Sequence, residues 1–362
     1  MLAAGDLLDY VRFRAVCTSW RSGAASPRFH PRRWMMLPEG HGLYPGHPDL
    51  RGHARFLNLD TGALARARIP LLGDHCAIDS VDGLLLLLRD PDPEGALRLL
   101  HPFTGDVAEL PPLGTLLPQL GSRLHSIPAP YRIRSLAKVV CASVSFNNAG
   151  AMTVMLALRE AMCYPPLSFQ GKLYMVRTAS TSCGKDPHQV LQIDPPVQDQ
   201  DGEGAGRALQ PPKLIATVPE HKLVYVYGLV ECGSEILVLG HNDWFGSQIL
   251  VCKLSDIMLQ RFIPMKSIGG SILFIDERSI SVSSKVLPTV KGDSVVYIHS
   301  GHPYLAQYHL GSGSLSTAID NCSLYGRMPG PSSLVHHVFS CCIRNQWCVG
   351  VFTLFSFCTV SL

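Results

Sequence analysis

The stretch Asp82–Pro112, DGLLLLLRDPDPEGALRLLHPFTGDVAELPP, contains the pattern that decides the fold. An apolar run is followed by a polar loop, a second apolar segment, a turn ending in Thr-Gly, a short alternating segment and two prolines. Short apolar runs bounded by Gly, Pro and Asp are typical of β-strands joined by tight turns. The stretch therefore predicts a strand–loop–strand–turn–strand unit.

The same unit recurs along the chain. Its second half is visible in RFLNLDTGALARARIP, Arg55–Pro70. The second strands of the successive units begin near Phe56, Leu97, Met152, Val190, Ile249 and Leu305. The steps between them, about 40 to about 60 residues, match the period at which four-stranded propeller blades repeat. We therefore expect a mainly β protein with a propeller-like, kelch-like domain of roughly six blades; a β-sandwich is the alternative.

Composition excludes several classes of protein. Apolar residues make up 46% of the 362 residues and charged residues 16%, which is typical of a globular chain. The net charge of +3 is too small to indicate nucleic-acid binding. The N-terminus has no uninterrupted apolar core for a signal peptide, so the 12 cysteines are expected to be reduced. These features predict a cytoplasmic or nuclear protein that neither binds nucleic acid nor enters a membrane.

The N-terminal region has a different periodicity. Residues Leu7–Trp20 show a helical pattern in which Phe13, Val16, Cys17 and Trp20 share one face. We expect residues 1–37 to form a separate N-terminal unit around this helix, with a basic connector at Arg28–Arg33 that leads into Trp34–Leu37, and residues 38–48 to form a linker. A β domain is expected at 49–347 and an atypical tail at 348–362. The Pro-, Gly- and Asp-rich segment Ile193–Pro212 is predicted to be a surface loop inserted within a blade.

The string GDLLDYVRFRAVCTSWRSG, Gly5–Gly23, resembles the latter part of a plant F-box, truncated at its N-terminus. Further on, DGLLLLL, LLHPFTGDVAELPPL, FQGKLYMV, VVYIHS and QYHLGSGSLSTA resemble the plant F-box family with a C-terminal domain of unknown function 295. This resemblance runs from Gly5 to about Gln346.

The resemblance implies a substrate-recognition adaptor of an SCF-type ubiquitin ligase. Its F-box would dock on a Skp-type adaptor, and through it on a cullin, while the β domain binds a target protein. The residues that match the motif's docking positions are Leu7, Leu8, Val11, Phe13, Arg14, Val16, Cys17 and Trp20. Two alternatives remain open: this helix packs on its own β domain, or the chain is a free-standing propeller that binds proteins and keeps a vestigial F-box.

Other candidate sites are weaker. Trp244 and Phe245, in the turn GHNDWFGS, are candidates for target binding, because loops on rigid scaffolds commonly carry function; packing between blades is the alternative. His336 and His337, followed by Cys341, Cys342 and Cys348, could supply zinc ligands, but neighbouring residues of a strand face opposite sides. We therefore expect no metal and no cofactor.

Enzymatic activity is not expected from the sequence. The chain lacks a nucleophile elbow, a Walker loop, an HExxH helix and a dinucleotide-binding fingerprint. Asp90 and Asp92 lie in a Pro-containing loop and are predicted to be turn residues rather than an acid and base pair. An enzyme that uses the propeller's central pocket is the third, least favoured hypothesis.

Overall fold

The computed structural model describes residues 31–37, 52–89, 92–124, 129–137, 140–146, 152–158, 166–178, 187–195, 211–219, 221–243, 248–276, 278–298, 305–318 and 334–342. In this part of the chain, 21 strands form six sheets, and helices are few.

The first two sheets follow each other directly in the chain. The first blade contains β1 (Trp34–Leu37), β2 (His53–Asn58) and β3 (Leu64–Arg68). The second blade contains β4 (His75–Val81), β5 (Leu84–Arg89), β6 (Leu97–Leu100) and β7 (Val107–Leu110). Both sheets are antiparallel meanders in which strands adjacent in sequence are also adjacent in space.

A hairpin and the third blade come next. The hairpin consists of β8 (Val140–Phe146) and β9 (Met152–Leu158). The third blade contains β10 (Leu167–Phe169), β11 (Lys172–Thr178), β12 (His188–Ile193) and β13 (Lys213–Val218). Because β12 pairs with β13, the segment between them joins adjacent strands of one blade, as the sequence predicts for the Pro- and Gly-rich insertion.

The fourth and fifth blades complete the sheets. The fourth blade contains β14 (Tyr225–Cys232), β15 (Glu235–His241) and β16 (Ile249–Lys253). The fifth blade contains β17 (Ser271–Phe274), β18 (Ile280–Ser283), β19 (Ser294–Ile298), β20 (Leu305–His309) and β21 (Ser314–Thr317). In the fifth blade the order is β18-β17-β19-β20-β21, with β17 and β19 parallel.

The helical elements cover the edges of the sheets. They are α1 (Ala129–Ala137), α2 (Leu254–Met258), α3 (Leu334–Ser340) and two 3-10 segments, Pro70–Gly73 and Leu113–Leu124. The α1 helix packs with the second blade and the hairpin, whereas α3 packs with the first and fifth blades. No helix in the described ranges is long and apolar enough to cross a membrane.

The sheets form a closed ring, which makes the fold a β-propeller and excludes the β-sandwich. The contacts β4–β8, β8–β10, β11–β14 and β14–β18 link consecutive sheets, and one core cluster joins the fifth, first and second blades. Of the described sheets, five have three to five strands and form five blades, while the hairpin β8–β9 forms the small remaining sheet. The expected six blades are therefore not confirmed.

The leucine run of β5 is explained by the burial of the second blade on both of its faces. Leu84 to Leu88 are all buried, with Leu85 and Leu87 in the core shared with the first blade. Leu86 belongs to the core on the opposite side, beside β8 and α1. Successive side chains of a strand point to opposite faces, and both faces of this blade are covered by neighbours. An uninterrupted apolar run is the pattern that such a strand requires.

The turn before the outer strand of a blade has one structure in three blades. In the HPFTG turn, the Nδ1 atom of His101 accepts hydrogen bonds from the backbone N–H groups of Phe103 (3.3 Å) and Thr104 (3.2 Å). The N–H of Gly105, whose φ is +85°, donates to the carbonyl of His101. Asn58 and His309 begin equivalent turns that end at Gly62 and Gly313. The recurring Thr-Gly and Ser-Gly pairs are therefore turn signals.

The structure describes only the last part of the N-terminal segment, residues 31–37. Trp34–Leu37, at the end of the expected N-terminal unit, forms β1 and pairs with β2. The predicted helix Leu7–Trp20 lies outside the described residues. The predicted domain boundaries themselves stay a prediction.

Candidate functional site

A cavity of about 160 Å³, lined by both charged and apolar residues, lies at the centre of the ring. Each of the six sheets, or the segment next to it, contributes to its wall, so the cavity marks the propeller axis. Its charged lining residues are Arg32, Arg33, Asp79, Asp82, Glu231 and Arg278. Propeller pockets commonly bind ligands, which makes the cavity the first place to look for a site.

The turn that precedes β1 places two arginines at the cavity. The N–H of Trp34 donates to the carbonyl of Pro31, and Arg33 adopts a left-handed conformation with φ of +69°. The Arg33 guanidinium pairs with Asp60 (Nη2–Oδ1, 2.9 Å) and donates to the carbonyl of Ser281 (2.7 Å). Because Ser281 belongs to the fifth blade, Arg33 connects the first blade to the last.

The hairpin between β4 and β5 fixes Asp82 beside this turn. Asp82 and Gly83 both have positive φ, +49° and +80°, as a type I′ turn requires. A Cβ atom on Gly83 would lie 1.9 Å from the carbonyl oxygen of Pro31, so only glycine allows this approach. Burial raises the pKa of the Asp82 carboxyl, and the charge of Arg32 opposes that shift.

Two further ion pairs link sheets that are distant in sequence. Arg32 pairs with Glu231 of β14, and Arg278 pairs with Asp79 of β4. The second carboxylate oxygen of Asp79 accepts the N–H of Ala142 (3.0 Å), which extends the network to β8. These contacts make a charged belt that we call the axial clasp, defined by Arg32, Arg33, Asp79, Glu231 and Arg278.

The electrostatics of the axial clasp favour a role in stabilising the propeller rather than in catalysis. Burial raises the pKa of Glu231, while the charges of Arg32 and Arg33 oppose the shift. The described residues that line the cavity include no histidine or cysteine that could act as a base or nucleophile. All five members of the clasp form ion pairs with other residues of the ring. These pairs can stabilise the contacts between blades.

A second polar cluster lies at the other end of the fourth blade. β14 runs from Tyr225 towards the cavity, and β15 returns to His241, which is paired with Tyr225. The ring centroids of Tyr225 and His241 lie 5.2 Å apart, and those of Tyr227 and His241 lie 5.3 Å apart. The Tyr227 hydroxyl and His241 Nδ1 are hydrogen-bonded at 3.0 Å. We call this end of the propeller the loop face.

Burial shifts the pKa of two members of this cluster in the directions that keep them neutral. The pKa of Tyr227 is raised by desolvation, and Tyr297, Tyr225 and Asp243 add to the shift. The pKa of His241 is lowered by desolvation, although the charge of Asp243 opposes that change. Tyr225 is the outermost member, with 45% of its surface exposed.

The site residues expected from the sequence all lie outside the described residues. This holds for Leu7, Leu8, Val11, Phe13, Arg14, Val16, Cys17 and Trp20 and also for Trp244 and Phe245. The strands that flank the last two are described: β15 ends at His241 and β16 begins at Ile249. The segment that contains these two residues therefore joins the end of β15 to the start of β16 in the chain.

The candidate zinc ligands do not lie on a strand, contrary to the geometry assumed from the sequence. His336 and His337 belong to α3, which ends just before Cys341 and Cys342. Both thiols are buried, which raises their pKa, and the Cys341 Sγ–H donates to the carbonyl of Met36 (3.4 Å). Within the described ranges, no three His, Cys, Asp or Glu side chains are arranged to hold a metal ion.

A family model described as the KIB1-4 beta-propeller matches residues 56–317, more than two thirds of the chain. The chain belongs to the KIB1-4 beta-propeller family. The match begins within β2 and ends at the last residue of β21, so it covers nearly all of the ring. No curated protein and no solved structure is significantly similar to the chain.

The family match corrects one expectation. The matching model is the KIB1-4 beta-propeller, not the F-box family with the domain of unknown function 295, and no F-box model matches. The strings quoted from Asp82 onward are strand and turn patterns, and strands and turns of this kind recur in propellers generally. The KIB1-4 propeller supports a protein-binding module as the general class of function.

The axial clasp and the aromatic cluster were both missed from the sequence. Residues 32 and 231 are separated by 199 positions, and nothing local marks them as partners. The aromatic cluster left a clearer signal in the KIB1-4 propeller, because Tyr225 and Tyr227 alternate along one face of a strand. That alternation, read together with His241 at the end of the next strand, could have indicated the cluster.

Proposed function

We propose that the chain is a non-catalytic protein-binding module that captures a target protein on its loop face. The observation that carries this proposal is the exposed Tyr225 ring at the start of β14, where β14 pairs with the end of β15 at His241; Trp244 and Phe245 follow closely in the sequence. Exposed aromatic side chains on rigid supports commonly anchor protein interfaces. The match to a β-propeller family supports the same class of function.

The charged cavity favours this role over an enzyme. Polar groups do converge on the axis, as a catalytic pocket would require, but Arg32 pairs with Glu231 and Arg278 with Asp79. A catalytic carboxylate must be able to exchange its proton with a substrate. Groups that hold separate blades together are poorly placed for that exchange, so we assign the clasp to stability.

A photo-crosslinker placed at position 225 tests the proposal. We expect p-benzoylphenylalanine in place of Tyr225 to crosslink one protein reproducibly in a cell extract, and the purified protein to bind the wild-type chain. The matched control places the same group at Leu315, an exposed apolar residue of the fifth blade. Equal capture from both positions, or no binding by the purified protein, would contradict target capture on the loop face.

The partner at the N-terminal end is a separate question. An adaptor of an SCF-type ligase would need a docking helix at Leu7–Trp20 that binds a Skp-type adaptor and, through it, a cullin. The family match begins at residue 56 and provides no support for that helix. We therefore propose the free-standing form, in which the propeller binds its target without a ligase.

Adaptor binding distinguishes the two forms. In the free-standing form, the purified chain does not retain a purified Skp-type adaptor, and deletion of residues 1–26 leaves target binding unchanged. A complete F-box protein serves as the positive control. Retention of the adaptor by the wild-type chain, lost in a folded Trp20→Asp variant, would contradict the free-standing form.

A further inference from the structure

We propose that the outer edge of the first blade binds an extended acidic segment of a partner protein. The segment adds to β3 as an antiparallel strand and pairs two of its carboxylates with Arg66 and Arg68. We call Leu64, Arg66 and Arg68 the arginine edge. This inference goes beyond target capture on the loop face, since it concerns another blade and uses none of the residues around Tyr225.

The outer edge of β3 has open backbone groups. In the described part of the chain, β3 pairs with β2 and with no other strand. The N–H of Asn58 donates to the carbonyl of Ala63 (2.9 Å). At the other end of the pair, the N–H of Ile69 donates to the carbonyl of Gly52 (2.6 Å). Because hydrogen-bonded positions alternate along an antiparallel pair, the N–H and C=O groups of the arginine edge point away from β2.

The side chains of the arginine edge share the exposed face of β3. The strand alternates between exposed and buried residues, and Ala65 and Ala67 are buried in the core. Leu64 is 58% exposed, and Arg66 and Arg68 are also exposed. The residues whose backbone groups are open at the edge are therefore the same residues whose side chains are open to solvent.

This face carries an excess of positive charge. Arg66 lies directly opposite Arg55 of β2, and Arg68 lies opposite His53. Like charges at opposed positions of a sheet repel each other. Neither Arg66 nor Arg68 forms an ion pair or a side-chain hydrogen bond in the described part of the chain. Both guanidinium groups are therefore available to donate to the carboxylates of another molecule.

An extended protein segment fits these features better than a nucleic acid or a second copy of this chain. An open strand edge accepts an added strand, in which main-chain hydrogen bonds supply affinity and alternate side chains supply specificity. Arg66 and Arg68 are about 6.8 Å apart along the strand, so acidic residues two positions apart would lie opposite them. Two arginines neutralise few phosphates, and a second β3 would bring arginines opposite arginines.

Three fluorescein-labelled peptides test the spacing and the charge. The first, Thr-Glu-Thr-Glu-Thr-Val-Thr, has its glutamates two positions apart. The second, Thr-Glu-Glu-Thr-Thr-Val-Thr, has the same composition with adjacent glutamates, and the third is the first with glutamine in place of glutamate. Fluorescence anisotropy titrations of the full chain at low ionic strength give the dissociation constants. We expect the first peptide to bind about threefold more tightly than the second and about tenfold more tightly than the third.

Two variants assign the charge preference to the arginine edge. Arg66→Gln and Arg68→Gln should each reduce the preference for the first peptide over the third to about threefold, because one of the two pairs is lost. Lys213→Gln is the matched control, since it removes the same charge from the exposed start of the outer strand of the third blade, and it should leave the preference unchanged. Thermal unfolding of each variant shows that it is folded.

N-methylated peptides test the addition of a strand. The N–H of the second glutamate of the first peptide would donate to the carbonyl of Arg66, so its methylation should abolish detectable binding. The N–H of the threonine between the two glutamates would point away from β3, so its methylation should have no effect. Equal effects of the two methyl groups would overturn strand addition.

Other results would also overturn the inference: equal binding of the first and third peptides, no binding at millimolar concentration, or equal losses in Arg66→Gln and Lys213→Gln. A deoxythymidine oligonucleotide that binds more tightly than the first peptide, and depends on Arg66, would assign the edge to nucleic acid instead. Crosslinking from position 225 is measured separately, so failure of the arginine edge leaves target capture on the loop face intact, and the reverse also holds.

Discussion

The guanidinium of Arg278, beside β18, donates to the carboxylate of Asp79 in β4. These residues belong to the fifth and second blades, which are separated by the first blade in the ring. The Asp79 side chain is almost completely buried, with 6% of its surface exposed, and Arg278 and the N–H of Ala142 together offset the cost of burying its charge. Closure of the ring is therefore coupled to an ion pair that spans the propeller axis.

Removal of Arg278 should destabilise the propeller strongly. We expect Arg278→Met to lower the free energy of unfolding by about 3–5 kcal/mol, because it leaves the buried Asp79 carboxylate without its charged partner. Adding Asp79→Asn should recover part of that loss, since the uncompensated charge is then removed. Urea denaturation of both single variants and the double variant measures the coupling.

Arg98→Met is the matched control for this cycle. Arg98 pairs with Glu109 (2.9 Å), whose side chain is 75% exposed, so its loss should cost less than about 1 kcal/mol. A similar loss of unfolding free energy in Arg98→Met and Arg278→Met, or additive effects in the double-mutant cycle, would contradict a larger contribution from the buried axial ion pair.

The pH dependence of stability should distinguish Asp82 from Asp92. Burial raises the native pKa of Asp82, so its ionisation costs stability as the pH rises from about 3.9, the usual value in an unfolded chain, through the native value. Asp82→Asn should therefore stabilise the chain at pH 7 by about 0.5–1 kcal/mol, and the gain should vanish as the pH falls. Asparagine also suits the left-handed turn position.

Asp92→Asn should show the opposite behaviour. The N–H groups of Ala96 and Glu94 donate to the Asp92 carboxylate and lower its pKa, so this group stabilises the fold above its unfolded pKa. The variant should lose less than about 1 kcal/mol at pH 7, because solvent screens this exposed carboxylate, and the loss should shrink as the pH falls. Urea titrations between pH 7 and about pH 2 test both variants, because the effect of Asp92 changes only below its unfolded pKa; slopes of the same sign would contradict the assignment.

The turn geometry that recurs in three blades can be tested at Gly105. Its φ of +85° is unfavourable for other residues, although open space surrounds the position where a Cβ would lie. Gly105→Ala should therefore lose about 1–2 kcal/mol through backbone strain alone. Gly73→Ala is the control, because Gly73 also has open space but no positive φ. Equal effects on thermal unfolding would argue against the strain.

Cysteine labelling should report the packing of α3 on β1. Burial raises the pKa of Cys341 and Cys342, and both side chains are inaccessible, so a maleimide at pH 8 should label them only after unfolding. Cys232 is partly exposed and should react in the native chain, slowly because its pKa is also raised by burial. Mass spectrometry of the digested chain assigns each site; rapid labelling of Cys341 would contradict the packing.

Much of the fold could be predicted from the sequence because its signals are local. The leucine run of β5 indicated a strand buried on both faces, and the HPFTG string indicated the turn that His101 and Gly105 form. The Pro- and Gly-rich insertion was correctly placed within a blade, between β12 and β13. The number of blades was not determined, because β8–β9 repeats the strand pattern but forms a sheet of only two strands.

By itself, then, the sequence determined which segments form strands and turns, since side-chain alternation and the backbone preferences of glycine act over a few residues. Only the tertiary structure decided which charges meet at the axis. Arg32 and Glu231 become partners because ring closure brings them together at the cavity, where the Glu231 side chain is largely buried and the Arg32 side chain stays partly exposed. The separation of the axial clasp from the aromatic cluster of Tyr225, Tyr227 and His241, at opposite ends of β14 and β15, is likewise a property of the folded ring.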